Sequence, residues 1–206
     1  KRKICVEKAN EIFDQISAFA GYGFNKSHAA AYALIAYQTA WVKTNYTHEF
    51  FVSMMTVENN NTEKLSLFVE DAKKLGLKIL QPCINKSSYE FIIEEISSHE
   101  FGIRYSLSSI KNVGTDAIKK VVQIRDKDGE FKNIDDFLNR VPYSLITKKS
   151  IESLIKSGAF DNIESNRNKL FRSIDLMLSY SHSIEKEKNS YQSNLFNNND
   201  SNKLPI

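Results

Sequence analysis

The chain has 206 residues, of which 41% are hydrophobic and 26% are charged, and its formal net charge is +3. This composition predicts a folded chain with one large or two small domains and argues against a disordered or membrane-spanning one. The mild positive charge allows a local nucleic-acid-binding patch without requiring it. Cys5 and Cys83 are far apart and the histidines are scattered, so we expect a cytoplasmic protein with reduced thiols and no zinc site.

The first 46 residues predict two helices. Apolar residues recur at helical spacing over 6–19, and Gly21 and Gly23 then break the pattern. A second helix begins near residue 27 or 28 and continues to about 46. It is apolar nearly all round, so we expect it to be buried.

Two further helices are predicted before a change of pattern at Pro82. Thr47 is a plausible N-cap for the third helix, and Asn60 or Asn61 for the fourth. Gly76 follows the last periodic residue of the fourth helix, which is the usual place for a glycine that ends a helix.

After Pro82 the apolar residues alternate, which predicts a small β-hairpin over 89–106 around the polar turn "SSHE". Helical spacing then returns in four segments, the third closed by Gly158 and the fourth running through Leu170 and Leu178. From about Ser181 the chain is polar and Asn-rich and predicts a flexible tail over 181–206. The predicted fold class is mainly α.

The stretch "GYGFNKSH", residues 21–28, leads directly into the second helix. Two glycines let a backbone approach a ligand closely, and the free amides of a helix start favour an anion such as phosphate. The spacing is not that of a Walker loop. An ordinary helix cap beside an incidental lysine explains the residues as well. The candidate anion-binding residues are Gly23, Asn25, Lys26, Ser27 and His28.

The stretch "IKNVGTDAIKKVVQIR", residues 110–125, has the pattern of a helix-hairpin-helix motif, in which hairpin amides and the next helix start bind DNA phosphates without reading bases. Asparagine stands at position 112, where a glycine is usual, and tolerates the left-handed backbone better than most residues. Residues 147–163 could be a second, degenerate copy. An ordinary helical pair remains an alternative for both. The candidate DNA-binding residues are Lys111, Asn112, Val113, Gly114, Lys119 and Lys120.

Two shorter patterns are weaker signals. Asp126 and Asp128 could hold magnesium ions, but "DKDG" is more typical of an exposed turn. In the predicted tail, "QSNLF" carries an apolar pair with no core to join, and such exposed anchors usually enter a pocket on a partner.

Taken together, the stretch from "AGYGFNKSHAAAYALIAYQTAW" through "IKNVG" and "SGAFD" to "QSNLF" resembles the C-family bacterial replicative DNA polymerases. The resemblance implies a helical fingers domain over 1–88, the hairpin over 89–106, a duplex-binding helix-hairpin-helix region over 107–180 and a clamp-binding motif in the tail. Asn112, Ser106 and Ser108 stand where glycines are common in the family, so we expect a reduced grip on duplex DNA. The residues implied for the sliding clamp are Gln192, Leu195 and Phe196.

The resemblance also implies the partners: primer-template DNA, deoxynucleoside triphosphates, the sliding clamp and other holoenzyme subunits, with no membrane. The triphosphate would lie near Lys26, Ser27 and His28. In the family, palm carboxylates on strands hold Mg²⁺ for nucleotidyl transfer, and this sequence contains no such strand. We therefore expect a part of a DNA-directed DNA polymerase that binds but does not catalyse alone. The alternatives are an independent DNA-binding or clamp-tethered fragment and an error-prone paralogue.

Overall fold

A computed structural model describes residues 4–20 and 26–189 of the chain. It is mainly helical with one small sheet, as the sequence predicts. The chain divides into two compact units, Lys1–Thr47 and His48–Ile206. The predicted boundary near residue 88 stays a prediction. No described helix combines the length and the apolar character needed to cross a membrane.

The first unit contributes two helices, α1 (Val6–Ala20) and α2 (Lys26–Asn45). Both lie within about two residues of the predicted bounds. The expected burial of α2 is wrong for this structure, because none of its residues is buried. An apolar sequence shows that a helix needs cover but does not identify the chain that supplies it. The large exposed apolar side chains of α2 are Tyr32, Leu34, Ile35, Tyr37, Trp41 and Val42.

The second unit begins with two helices and a sheet: α3 (Thr47–Val57), α4 (Thr62–Lys74), β1 (Lys78–Leu80), β2 (Ile92–Ser97) and β3 (Glu100–Arg104). The predicted cap of α4 is confirmed, since the Asn61 side chain accepts a hydrogen bond from the Lys64 amide. Gly76 has a φ of +82°, which also agrees with its predicted role. These elements share a small core of Phe51, Met55, Leu65, Ala72, Phe91 and Ile103.

The sheet has the order β1-β3-β2. Strands β2 and β3 form the predicted antiparallel hairpin, with His99 at a φ of +68° in its turn. Strand β1 pairs in parallel with β3, placing Lys78 opposite Gly102. The sequence did not predict β1, because three residues are too few to show a period of two.

The remaining helices are α5 (Thr115–Asp128), α6 (Ile134–Arg140), α7 (Lys148–Ser157), α8 (Arg167–Arg172) and α9 (Ile174–Asn189), with a single 3₁₀ turn at Tyr143–Leu145. They enclose the larger core. Its centre is a row of three phenylalanines, in which the ring of Phe137 lies edge-on to Phe131 and Phe160 at centroid distances of 5.1 and 5.2 Å. Edge-to-face contact is a favoured arrangement for aromatic rings.

Two predictions for this part of the chain are wrong. The fourth predicted helix is two helices, because Ser173 ends α8 by donating its amide to Lys169 and Leu170 carbonyls before α9 begins. Helix α9 then runs to Asn189, past the predicted start of the tail at 181. Ser181 and Ile184 are both buried. Their spacing continues the stripe that begins at Met177, so two inward residues suffice to extend the helix within a polar sequence.

Candidate nucleic-acid interface

The candidate interface is built on a tight hairpin over residues 107–114. Leu107, Ile110 and Val113 are buried and fix the hairpin to the larger core. The amides of Ile110 and Val113 donate to the carbonyls three residues earlier at 3.3 and 3.1 Å. The two residues between them, Lys111 and Asn112, are exposed. The hairpin therefore presents its tip to solvent on a rigid base.

Asn112 occupies the left-handed region, with a φ of +66°. This agrees with the interpretation that asparagine replaces a glycine here, since few other residues tolerate that conformation. Its side-chain amide also donates to the hydroxyl of Ser153 at 3.3 Å, which ties the hairpin to α7. A glycine could not make that contact, so the departure from the usual pattern adds a link between the two halves of the region.

Helix α5 starts immediately after the hairpin without a side-chain cap. Gly114 is its N-cap, at a φ of −76° and a ψ of +133°, and no side chain accepts from the first amides. The starts of α4, α6, α7 and α8 are each capped by a side chain, from Asn61, Asn133, Thr147 and Asn166 respectively. The positive end of α5 is thus open to an external acceptor.

The lysines of the site lie around this open helix start. Lys111 is on the hairpin, and Lys119 and Lys120 are exposed about one turn into α5. The ammonium of Lys119 lies 5.2 Å from the ring centroid of Tyr89, a cation–π contact that limits its positions. Asp116, in the first turn, is the one acidic side chain there. Three lysines outweigh it, so the local field favours an anion.

Ser106 and Ser108, which stand where the family commonly has glycines, support the hairpin from below. Both are buried and both hydroxyls donate to the Tyr89 carbonyl, at 2.8 and 2.5 Å. Ser108 also accepts from the Asn59 side chain at 3.4 Å. The serines therefore fill a structural role, and the expectation that they weaken the DNA contact remains a prediction.

A buried arginine holds the loop that carries Tyr89. Arg125 is only 9% exposed, and one guanidinium nitrogen donates to the carbonyls of Ile84 and Ser87 at 3.1 and 2.5 Å. The rest of the guanidinium pairs with Asp126 at 2.9 Å. Asn85 in the same loop exchanges two hydrogen bonds of 2.8 Å with the Phe131 backbone. The sequence analysis did not identify Arg125. It lies three positions after Val122 and four after Val121, on the apolar face of α5, and a charged residue at such a position indicates a buried, paired side chain.

The second predicted hairpin follows α7 and has a different surface. Gly158 ends α7 at a φ of +81°, and the next residue, Ala159, accepts from the Ile84 amide at 2.7 Å. Arg167 pairs with Asp161 through two nitrogens, at 2.7 and 2.5 Å. The basic side chain nearest this hairpin is therefore already occupied by a carboxylate.

The start of α8 is also occupied. The Asn166 side chain accepts from the Lys169 amide at 3.0 Å, and the carboxylate of Glu164 accepts from the Asn166 amide at 3.0 Å. The Asn166 amide, and after it the Lys169 ammonium, lowers the pKa of Glu164 below its usual value. A carboxylate thus accepts from a backbone amide at the start of α8, whereas no side chain accepts from the first amides of α5.

Comparison with known proteins agrees with this geometry. Residues 76–170 match the model of a family described as "Helix-hairpin-helix motif". The DNA polymerase III subunit alpha of Borreliella burgdorferi is 43% identical over 190 residues, or 92% of this chain. Those of Caulobacter vibrioides and Thermus aquaticus are 39% and 40% identical over 95% and 86% of it. The chain is homologous to a segment of DNA polymerase III α subunits.

The chain spans 16%, 17% and 14% of the lengths of these three relatives. The resemblance to the C-family polymerases is therefore confirmed for one segment of an α subunit. The activity, substrates and partners of whole α subunits do not transfer to this segment by homology alone.

Two other predicted sites lie partly or wholly outside the described residues. Lys26, Ser27 and His28 form the first turn of α2, where the His28 ring lies 4.4 Å from that of Tyr32. Gly23 and Asn25 lie outside the described residues. So do Gln192, Leu195 and Phe196 of the predicted clamp motif.

The described residues do not offer a site for the magnesium that the family resemblance implies for a whole polymerase. Within 4–20 and 26–189, no group of three or more His, Cys, Asp or Glu side chains could hold a metal ion. Asp126 and Asp128 lie in the last turn of α5 rather than in a turn beyond it, and Asp126 pairs with Arg125. Asp126 and Asp128 are therefore not assigned a metal.

Proposed function

We propose that this chain is part of a replicative DNA-directed DNA polymerase and binds the backbone of duplex DNA through the hairpin 107–114 and the start of α5. One observation carries the proposal. The start of α5 has no side-chain cap and follows an exposed left-handed turn flanked by lysines. Backbone amides at a helix start and nearby lysines are the groups that bind phosphate oxygens without reading sequence.

The proposed contact predicts a binding mode. Lys111 would reach a phosphate from the hairpin tip, the amides of Thr115 and Asp116 would donate to its neighbour, and Lys119 would approach from above Tyr89. Each neutralised phosphate contributes roughly −0.9 to the slope of log affinity against log salt. Binding should be weak, indifferent to base sequence and readily released by salt.

The test is fluorescence anisotropy of a labelled duplex against salt concentration. Lys111→Ala with Lys119→Ala should lower affinity equally for unrelated duplexes and flatten the salt slope by roughly one or two units. The control is Lys127→Ala with Lys132→Ala, which removes the same charge from exposed positions after the hairpin. An equal loss in both pairs would assign binding to net charge and not to the hairpin.

We propose a second contact in the intact polymerase, between the first turn of α2 and the triphosphate of the incoming deoxynucleotide. Gly23, Asn25, Lys26, Ser27 and His28 are the residues involved. The first turn of α2 contains no acidic residue, a feature that it shares with α7 and α8, whereas those of α1, α3, α4 and α5 each contain one. The absence of a competing carboxylate supports an external anion there.

Lys26→Ala in the intact polymerase should raise the nucleotide KM or lower kcat and leave DNA affinity nearly unchanged. A charge-assisted hydrogen bond contributes about 1.5 to 3 kcal/mol, or roughly ten- to a hundredfold. Lys43→Ala, in the last turn of the same helix, is the matched control. Normal nucleotide kinetics in the Lys26 variant would return that residue to a structural role.

The third proposed contact is with the sliding clamp, through Gln192, Leu195 and Phe196. Leu and Phe side chains buried in a pocket contribute about 1.5 to 3 kcal/mol each, part of which is offset by ordering the backbone. Affinity on the order of micromolar is therefore expected. A peptide of residues 188–200 should bind the clamp, and its Leu195→Ala/Phe196→Ala form should not. Other holoenzyme subunits remain expected partners without assigned residues.

A further inference from the structure

A groove lies between helix α9 and the end of α6 with the segment that follows it, and no residue of the hairpin 107–114 lines it. Its volume is about 160 Å³, and its lining includes Leu138, Val141, Tyr143 and Ile184. Lys188, at the end of the groove, donates to the Asn139 carbonyl at 2.6 Å. We call this the α6–α9 groove. It is not part of the surface proposed above for DNA.

The α6–α9 groove is lined by a buried hydroxyl that has no hydrogen-bond partner among the described residues. Ser181 is 2% exposed and lines the groove, and its hydroxyl has no hydrogen-bond partner among the described residues. Buried hydroxyls in folded proteins nearly always have a partner. The hydroxyl is therefore available to bond to a free amide or carbonyl of a group that enters the groove.

The size and walls of the groove indicate the kind of group. A cavity of about 150 Å³ holds one benzene molecule, so the volume of this groove is enough for one phenyl ring, although Arg140, Glu185 and Lys188 also line it. Tyr143, in its wall, lies 5.0 Å from the ring of His182, and an aromatic wall suits a further ring packed edge-on or offset. The fitting ligand is an aromatic side chain on an extended backbone that can bond to Ser181.

We propose that the α6–α9 groove binds Phe196 of the same chain. Helix α9 ends at Asn189, five residues or about 7.5 Å beyond Ile184 along the helix. The seven residues from Asn189 to Phe196 span at most about 25 Å when extended, which is enough to turn and reach the groove. Tyr191, only two residues after the helix, is too close to its end to fold back.

The tether makes even weak docking effective. A short linker holds its end group at an effective concentration on the order of millimolar, so a groove with a dissociation constant on that order is occupied about half of the time. Since Phe196 is also a proposed clamp anchor, occupation of the groove would lower apparent clamp affinity in proportion to the occupied fraction. That consequence rests on the clamp proposal of the preceding section, whereas the docking itself does not.

The test uses methyl NMR of the full chain, because a bound phenyl ring shifts nearby methyl signals. Phe196→Ser should move the signals of Val141 and Ile184, and Phe196→Leu should move them as well by removing the ring while keeping an apolar anchor. Asn198→Ser, in the same tail, should leave them in place. None of the three substitutions lies in the described core, so misfolding does not confuse the result.

Three outcomes separate the possibilities. Shifts that follow Phe196 and do not change on tenfold dilution support docking within one chain. Shifts that vanish on dilution show docking between copies and overturn the proposal, as do methyl signals that ignore Phe196→Ser. Clamp binding by the 188–200 peptide is measured separately, so the clamp contact can fail while the docking holds, and the reverse.

Discussion

The two hairpins of the helix-hairpin-helix region share a left-handed turn, but the helix starts that follow them differ in whether a side chain caps them. Each has a left-handed residue, Asn112 or Gly158, in the hairpin segment. Each sends buried side chains into the same core. The first leads to the uncapped start of α5, whereas the second leads to the start of α8, which Asn166 caps and where Glu164 supplies a carboxylate.

The difference shows that a cap and a phosphate compete for the same groups. An amide that donates to a side chain at 3.0 Å has no hydrogen left for a ligand. The backbone of the helix-hairpin-helix region therefore presents amides that could bind phosphate at the starts of both α5 and α8. The side chains around each start decide whether those amides are free to do so. A family match over residues 76–170 cannot by itself distinguish the two hairpins.

The largest expected effect tests whether the two hairpins share one core. Phe137, which lies between Phe131 and Phe160, is 1% exposed. Phe137→Ala should destabilise the region by about 3 to 5 kcal/mol, measured by chemical denaturation, and hydrogen exchange should increase in both hairpins. Leu176→Ala, at an exposed site on α9, is the control and should change stability by about 0.5 kcal/mol or less. Increased exchange in one hairpin alone would show separate cores.

The next effect concerns the left-handed turn of the second hairpin. A Cβ on Gly158 would collide with the Arg167 guanidinium and lie 2.9 Å from an Asp161 oxygen. Gly158→Ala therefore adds displacement of an ion pair to backbone strain, and should cost about 1 to 3 kcal/mol. Gly76→Ala has nearly the same φ, +82° against +81°, and open space around the added carbon. Equal losses in the two variants would mean that the Arg167–Asp161 pair adds nothing.

Much of this region could be predicted from sequence because its signals are local. Asn61 as a cap, Gly158 as a helix end and Asn112 in the left-handed region each follow from one residue type and its neighbours. Strand β1 could not be predicted, since its pairing with β3 joins residues more than twenty positions apart. The break at Ser173 also lacked a signal, because serine is compatible with either a helix end or an outward position within a helix.

The candidate site was predicted less completely than the fold. Its lysines and hairpin residues lie close together in sequence, so the pattern revealed them. Its supports, Tyr89, Ser106 and Arg125, come from three separate segments joined by carbonyl contacts. Periodicity describes which face of an element is buried but not which backbone carbonyl a buried side chain will reach.

Capping the start of α5 with a side chain, as Asn166 caps α8, should reduce DNA binding. Gly114→Asp places a carboxylate where it can cap α5, which should raise stability by only a few tenths of a kcal/mol relative to glycine. The same carboxylate would occupy the amides and repel phosphate, so duplex affinity should fall roughly tenfold, equivalent to about 1.4 kcal/mol. Gly114→Asn caps without a charge and separates the two causes. Unchanged affinity in both variants would show that the amides of α5 do not contact DNA.

The smallest expected effect is the stabilisation that the Glu164 carboxylate gives to the start of α8. The folded chain lowers the pKa of Glu164, chiefly through the Asn166 amide. Its contribution is therefore present above the unfolded-state pKa, about 4.3, and is lost as the pH falls through the lower folded value. Because the group is partly exposed, the contribution should stay below about 0.5 kcal/mol. Denaturation at pH 7 should show Glu164→Gln slightly less stable than the wild type, and the difference should be smaller at about pH 3. Glu90→Gln, at an exposed position, should match the wild type at both values. If the stability difference between Glu164→Gln and the wild type were the same in acid as at pH 7, the charge of the carboxylate would not be what stabilises the start of α8.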